Sequence, residues 1–191
     1  MAFLVSKEYP MSLSCAEIQT VLNELSMARL PARIQKIHTP SEHMLTLELF
    51  FERKAEILLI STDPKLSRLH FSNRRFKSME NPGSFCLFLR KNLIPGHSQI
   101  VAIEQVPNDR IVSLTIETDA GSEVLKFTMV LELMGPSSNI FLLDNNDVII
   151  GKMKEKKSRT RSLEIGNIYE APSIQHVKIS KEAGEPKAAK E

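Results

Sequence analysis

Leu125, Phe127, Met129, Leu131 and Leu133 alternate with Lys126, Thr128 and Glu132. No other stretch constrains the fold as tightly. A period of two sends every apolar side chain to one face of an extended strand, and that face has to be covered by something else. A partner lies just upstream, where Val112, Leu114 and Ile116 oppose Ser113, Thr115 and Glu117, with Asp119-Ala120-Gly121-Ser122 supplying a hairpin turn between the two runs. Ile140 to Leu143 and Val148 to Ile150, joined by Asp144-Asn145-Asn146-Asp147, form a second hairpin of the same kind. Strand signals continue in the first half of the chain. Arg33 to His38 alternates weakly, Leu45, Leu47 and Leu49 alternate with Thr46 and Glu48, Ile57 to Ile60 is an apolar run, and Arg68-Leu69-His70-Phe71 is a short strand.

Two segments break this pattern. Ser14-Cys15-Ala16-Glu17 has capping-box spacing, and Ile18, Val21, Leu22 and Leu25 follow at helical intervals, which predicts a helix from Ser14 to Arg29 stopped by Pro31. After Asn81-Pro82-Gly83, Ser84 can cap a second helix through Leu93, closed by Pro95-Gly96. Many antiparallel strands with two separated helices define an α+β fold, a curved antiparallel sheet or β-sandwich carrying two helices. A chain of 191 residues holds one such domain, placed at 12–172. The remainder, 173–191, is rich in Lys, Glu and Ala and is expected to be a disordered tail or the start of a following domain.

Charge is unevenly spread. Residues 1–151 carry 15 Lys and Arg against 17 Asp and Glu, whereas residues 152–191 carry 10 against 6, so the positive excess sits at the carboxyl-terminal end. Cys15 and Cys86 both fall among apolar residues within the helices and read as buried free thiols, which suits a reducing cytoplasm. The opening Met1-Ala2-Phe3-Leu4-Val5 is too short for an export signal, and no run reaches the ~20 apolar residues of a membrane span. His38, His43, His70, His97 and His176 stand apart from one another, no glycine-rich phosphate loop exists, and no serine sits in a nucleophile elbow. The expectation is therefore a protein without catalytic residues, metal, cofactor, small-molecule substrate or membrane attachment.

Cationic residues point elsewhere. Lys152, Lys154, Lys156, Lys157, Arg159 and Arg161 fall within ten positions, a density that would neutralise several phosphates, or that equally suits a solvated segment after the last strand. Asp109-Arg110 follows Pro107-Asn108 at the mouth of a strand. Arg110 shares parity with Val112, Leu114 and Ile116, so its stem is directed to the apolar face while its head reaches an edge. A guanidinium held there by the neighbouring carboxylate would suit a phosphate or a base edge, although a turn aspartate followed by a packed arginine accounts for the same residues. Arg90 and Lys91 end the second helix, where positive charge favours the helix dipole, and Asn139 is a natural turn residue. Arg74 and Arg75 form a smaller pair in a loop that reads as solvated surface.

As a set, Phe85-Cys86 with Leu89-Arg90-Lys91, Asp109-Arg110-Ile111, and Met134-Gly135 with Ser138-Asn139-Ile140 resemble the amino-terminal domain of the NFACT family. The likeness extends to the opening helix, Ala32 to Ile37, Arg68 and His70, and Val148-Ile149-Ile150, covering about residues 12–172. It implies a fold similar to the amino-terminal domain of the formamidopyrimidine-DNA glycosylases. It also implies an RNA-binding module of ribosome quality control. Such a module would engage a large ribosomal subunit bearing peptidyl-tRNA and help hold an incoming tRNA (alanyl-tRNA in bacteria), supporting messenger-independent tailing of the stalled chain.

The family's tRNA-binding Asp-Arg pair maps onto Asp109 and Arg110. Arg68, Arg90, Lys91, Asn139 and the basic run from Lys152 to Arg161 are further candidate RNA or ribosome contacts. Two departures stand out: Ser14 replaces an aspartate common at the first helix, and Pro136-Ser137 replaces an Arg-His pair. The family's helix-hairpin-helix, coiled-coil and carboxyl-terminal RNA-binding parts lie beyond this sequence. The shared fold raises a glycosylase-like nucleic-acid enzyme as an alternative, but Met1-Ala2-Phe3 lacks the amino-terminal proline and glutamate of that chemistry. A fibronectin-binding surface adhesin, the older name of some bacterial members, is the other alternative.

Overall fold

The computed structural model describes residues 12–26, 30–51, 53–155, 158 and 160–172. The first element is helix α1 (Cys15–Ser26), followed by strands β1 (Ala32–Ser41), β2 (Met44–Phe51), β3 (Lys54–Ser61) and β4 (Arg68–Ser72). Helix α2 (Ser84–Asn92) then leads into β5 (Ser98–Gln105), β6 (Ile111–Asp119), β7 (Val124–Glu132), β8 (Asn139–Leu143) and β9 (Ile149–Lys152). All nine strands belong to one antiparallel sheet in the order β4-β3-β2-β1-β5-β6-β7-β8-β9. The α+β class, the curved antiparallel sheet and both helices agree with the sequence reading, but Gly83 takes the N-cap position of α2, so Ser84 is its first helical residue and no side chain caps it. One strand was not legible: β5 carries a bulge between Ile100 and Ala102, which breaks its alternation.

Sequence order equals spatial order except at β5, which pairs with β1 across the excursion through β2, β3, β4 and α2. The β6–β7 hairpin closes where sequence alternation placed it, with Asp119 opposite Val124 and Gly121 in the left-handed region at φ +87°. The capping box also forms. The Ser14 amide donates to Glu17 Oε2 at 2.8 Å, and the Glu17 amide donates to Ser14 Oγ at 3.3 Å. The Ser14 bonds hold the Glu17 carboxyl below its usual range. Arg29, the side chain of Leu25 and the segment 173–191 lie outside the described residues.

The sheet is strongly curled. Helix α1 packs against both β4 and β5, and α2 against both β1 and β9, pairs of strands that lie far apart in the flat order. Polar links join the two halves: the Ser67 hydroxyl donates to Leu133 O at 3.3 Å, and the Gly135 amide donates to Ser67 Oγ at 3.1 Å. The main core fills the concave side, with Ile18, Ile34, Leu47, Leu58, Leu89, Leu114 and Met129 inaccessible to solvent. At about 25 cal/mol per Å² of apolar surface removed from water, this layer dominates the stability of the domain. A second, smaller core of Ile111, Val130, Phe141, Leu143, Ile149 and Leu163 covers the opposite side of β6–β9. Every residue of β8 is therefore buried. Helix α2 reaches β9 through Gly151, where an added Cβ would lie 2.5 Å from the Phe88 ring.

Candidate nucleic-acid interface

Asp109 and Arg110 sit in the β5–β6 connection, and its geometry follows from local chemistry. Val106 N–H donates to Ile111 O at 2.9 Å and Asp109 N–H to Val106 O at 3.0 Å, closing a turn in which Asn108 takes φ 60°. Asparagine tolerates that left-handed backbone better than most residues. The turn changes what the aspartate does: Asp109 Oδ1 accepts the Arg110 backbone N–H at 2.6 Å. The carboxylate thus fixes the backbone rather than the guanidinium, in contrast to the pairing expected from sequence. Arg110 is half-buried, and among the described residues no ion pair or hydrogen bond occupies its guanidinium.

Gln105 clamps this turn, and sequence reasoning missed it. Its Nε2 donates to Asp109 O at 2.7 Å and to Cys15 O at 3.1 Å, joining the turn to the first turn of α1. No local signal marked the role, because the bulge in β5 hides the strand that Gln105 ends. The Arg110 carbonyl accepts Leu133 N–H at 2.9 Å, Leu133 O accepts the Ser67 hydroxyl, and Leu13 N–H donates to Ser67 O at 3.3 Å. This chain of bonds gathers the Asp109-Arg110 turn, the start of α1 and the start of β4 at one end of the sheet. Arg68 opens β4 close enough to draw down the Glu17 carboxyl, and its Nε is buried without a hydrogen-bond partner. Burial, and then the charge of Arg68, push the His70 imidazole below its ordinary pKa. Gln105 Oε1 and the wholly buried Ser138 Oγ also lack partners. Two cationic side chains with unused donors, framed by a fixed backbone, suit an anionic oxygen-rich ligand.

The basic run behaves differently. Arg161 makes a two-pronged ion pair with Glu132, NH1 to Oε1 at 2.7 Å and NH2 to Oε2 at 3.1 Å, and also donates to Glu170 O. Glu132 is 1% exposed and additionally accepts the Tyr169 hydroxyl at 2.8 Å. Burial and the Glu132 charge together drive the Tyr169 hydroxyl far above its ordinary pKa. Lys152 is buried too, its Nζ bonded to Glu164 at 2.6 Å and Glu155 at 2.9 Å, which raises its pKa. Lys154 Nζ donates to Thr62 O. These three charges are therefore met inside the molecule; Lys156, Lys157 and Arg159 lie outside the described residues.

Arg90 is likewise committed, its Nε and NH2 both donating to Ile37 O at 2.8 and 2.7 Å, while Lys91 is exposed. Asn139 is 5% exposed and acts as a clamp: Oδ1 accepts the amides of Ile140 and Lys154, and Nδ2 donates to Lys154 O. Sequence alone showed the cations but not their partners, because Glu132 and Glu164 lie 29 and 12 residues from the groups they meet. Among the described residues no cluster of three or more His, Cys, Asp and Glu is arranged to hold a metal ion, and no helix is long and apolar enough to cross a membrane.

A model of the NFACT N-terminal and middle domains matches residues 15–189. The chain belongs to this family. The Rqc2 homolog RqcH of Streptococcus pneumoniae serotype 2 is 33% identical over 158 residues, and that of Bacillus subtilis 32% identical over 159 residues; each match takes in 80% of this chain. An archaeal Rqc2 homolog, aRqcH of Methanocaldococcus jannaschii, is 31% identical over 73% of this chain. The chain spans 28%, 27% and 18% of the length of these relatives.

Among solved structures, the N-terminal domain of the fibronectin-binding protein PavA from Streptococcus pneumoniae superposes with TM-score 0.73 at 32% identity, covering 81% of this chain and 59% of PavA's. The corresponding part of the fibronectin/fibrinogen-binding protein of Streptococcus suis gives TM-score 0.76 at 28% identity, covering 83% and 61%.

Proposed function

We propose that this NFACT amino-terminal domain is a cytoplasmic, non-enzymatic RNA-binding module of ribosome-associated quality control. It grips tRNA on a large ribosomal subunit that still carries peptidyl-tRNA, in support of messenger-independent tailing. The observation that carries the reading is the Arg110 guanidinium, left without an ion pair on a backbone locked through Asp109 and Gln105, at the end of the sheet where Arg68 opens β4. A structural arginine would be consumed as Arg161 is; an arginine kept for a phosphate is positioned but unpaired. Membership of a family whose relatives are named Rqc2 homologs supports the same reading.

In this account Asp109 is a positioning residue. Arg110 and Arg68 contact the tRNA backbone, and exposed Lys91 adds a weaker, salt-sensitive contact to RNA or ribosome. Residues 12–172 form the domain, and 173–191 are a tail or the start of a separate domain. Cosedimentation with large subunits that do or do not carry peptidyl-tRNA tests the proposal. The chain should pellet preferentially with the occupied subunits, and Arg110→Ala should lose that preference. Equal pelleting by both proteins on both subunits would overturn it.

The names of the structural neighbours favour fibronectin binding as a second reading. Saturable capture on immobilised fibronectin that survives Arg110→Ala would support it.

A further inference from the structure

The loop after β4 returns across the sheet instead of leaving it. β4 ends at Ser72, and by Met79 the chain donates its amide to Thr39 O of β1 at 3.0 Å, having passed β3 and β2. Cross-strand register sets Lys36, Glu48, Ile57 and Ser72 in one row over β1–β4. His38 and Thr46 lie two residues along in the next row, on the same face. Two cavities of about 110 and 130 Å³ open on this face and share Glu48, Ile57 and Arg75. Lys36, His38, Thr46 and Phe76 complete the first; Ser72 and Asn73 contribute to the second.

The groups around the first cavity are matched to one kind of ligand. Phe76 is half-buried, lines the cavity, and stacks on no other aromatic ring among the described residues. Arg74, Arg75 and Lys77 are exposed beside it, and no described partner neutralises them. On the floor, His38 Nδ1 is buried without a hydrogen-bond partner, and the Glu48 carboxylate sits 3.3 Å from Lys36 Nζ. A flat apolar ring flanked by cations, over a floor that presents one unpartnered ring nitrogen and a carboxylate shared with Lys36, fits a planar heterocycle joined to a phosphate. The ring offers stacking, the arginines offer charge to the backbone, and Glu48 with His38 offers hydrogen bonds to a base edge.

We propose that this face holds one nucleotide of a single-stranded RNA segment, its base on Phe76 and its phosphate at Arg75, with Arg74 and Lys77 alongside. The inference rests on the RNA-binding reading above, yet shares no residue with the Asp109-Arg110 turn, so the two stand or fall separately. It gives a function to the Arg74-Arg75 pair, which sequence alone leaves as solvated surface.

The test uses the full chain and a fluorescein-labelled mixed-sequence RNA hexamer, with a DNA hexamer of the same sequence for comparison. Binding is followed by anisotropy across a salt series and by the His38 imidazole resonances. Binding should shift the His38 signals. Phe76→Leu should weaken hexamer binding roughly tenfold or more, and Phe76→Tyr should restore it. Arg75→Ala should lower the salt slope by about one. Thermal melts verify that Phe76→Leu folds, and Arg75→Ala, at an exposed position, tests the site with little effect on folding. Arg110→Ala should leave the hexamer affinity unchanged; loss of tRNA binding in that variant with hexamer binding intact keeps both proposals. Hexamer binding without any tRNA binding sinks the tRNA reading alone. Parent-like hexamer affinity in both Phe76→Leu and Arg75→Ala, unmoved His38 signals, or tighter binding of the DNA hexamer would overturn the nucleotide site.

Discussion

Replacing Arg161 with alanine should destabilise the domain by about 3 kcal/mol, because it strands the Glu132 carboxylate in an apolar layer. Removing one member of a buried ion pair commonly costs about 3–5 kcal/mol, since the remaining charge is neither paired nor hydrated. The lower end applies here for two reasons visible in the structure. The Arg161 side chain is 13% exposed, so water enters when it is cut back, and Tyr169 continues to donate to Glu132 Oε1. For a chain of this size, a loss of about 3 kcal/mol lowers the melting temperature by about 6–12 °C. Urea unfolding followed by circular dichroism gives the free energy directly, with an unchanged m-value.

The triple variant Glu132→Leu/Arg161→Met/Tyr169→Phe removes every polar member and should recover most of the loss, as apolar replacements of buried ion pairs commonly do. If Arg161→Ala costs less than about 1 kcal/mol, the value of an exposed pair, the buried assignment is wrong. The same variant, assayed well below its melting point, should bind tRNA nearly as tightly as the parent, because this guanidinium is spent inside the protein.

Other perturbations draw on the same geometry. Gly151→Ala should cost about 1–3 kcal/mol through the 2.5 Å approach of its Cβ to the Phe88 ring, and Phe88→Leu in that background should recover part of it in the same unfolding assay. His70 has a lowered pKa in the folded state, so its neutral form is favoured there. Its contribution is fully present above the ordinary value of 6.5 and is lost as pH falls from there toward the folded-state value. Melting temperatures taken between pH 7.5 and 5 should show a decline that His70→Gln flattens. Ser14→Ala breaks the capping box and should cost about 1 kcal/mol in chemical unfolding, whereas Ser14→Asp keeps the cap and should cost little.

Much of this fold is written locally. β7 and its hairpin partner announce themselves because apolar and polar residues alternate without interruption, and the α1 cap forms where Ser14 and Glu17 stand three apart. β5 is illegible for a physical reason: its bulge moves the alternation out of phase midway, leaving Ile100 inaccessible but Val101, Ala102 and Ile103 only partly covered. The candidate site divides along the same line. Pro107-Asn108 marks the turn, yet the clamp by Gln105 depends on α1 arriving 90 residues away in sequence. The basic run misleads for the complementary reason. Charge density is a local property, whereas the partners that consume Lys152, Lys154 and Arg161 are brought by the curl of the sheet and by the segment that covers its second core.

The central claim is that Arg110 is kept free to meet a nucleic-acid backbone. Fluorescence anisotropy of labelled tRNA, measured for the parent, Arg110→Ala and Lys126→Ala over a salt series, addresses it most directly. Lys126→Ala removes an equal charge from an exposed position on β7 and serves as the control. The account predicts a roughly tenfold to hundredfold loss for Arg110→Ala, as for a charged hydrogen bond, with little change for Lys126→Ala. Equal affinities for all three proteins at every salt concentration would contradict it.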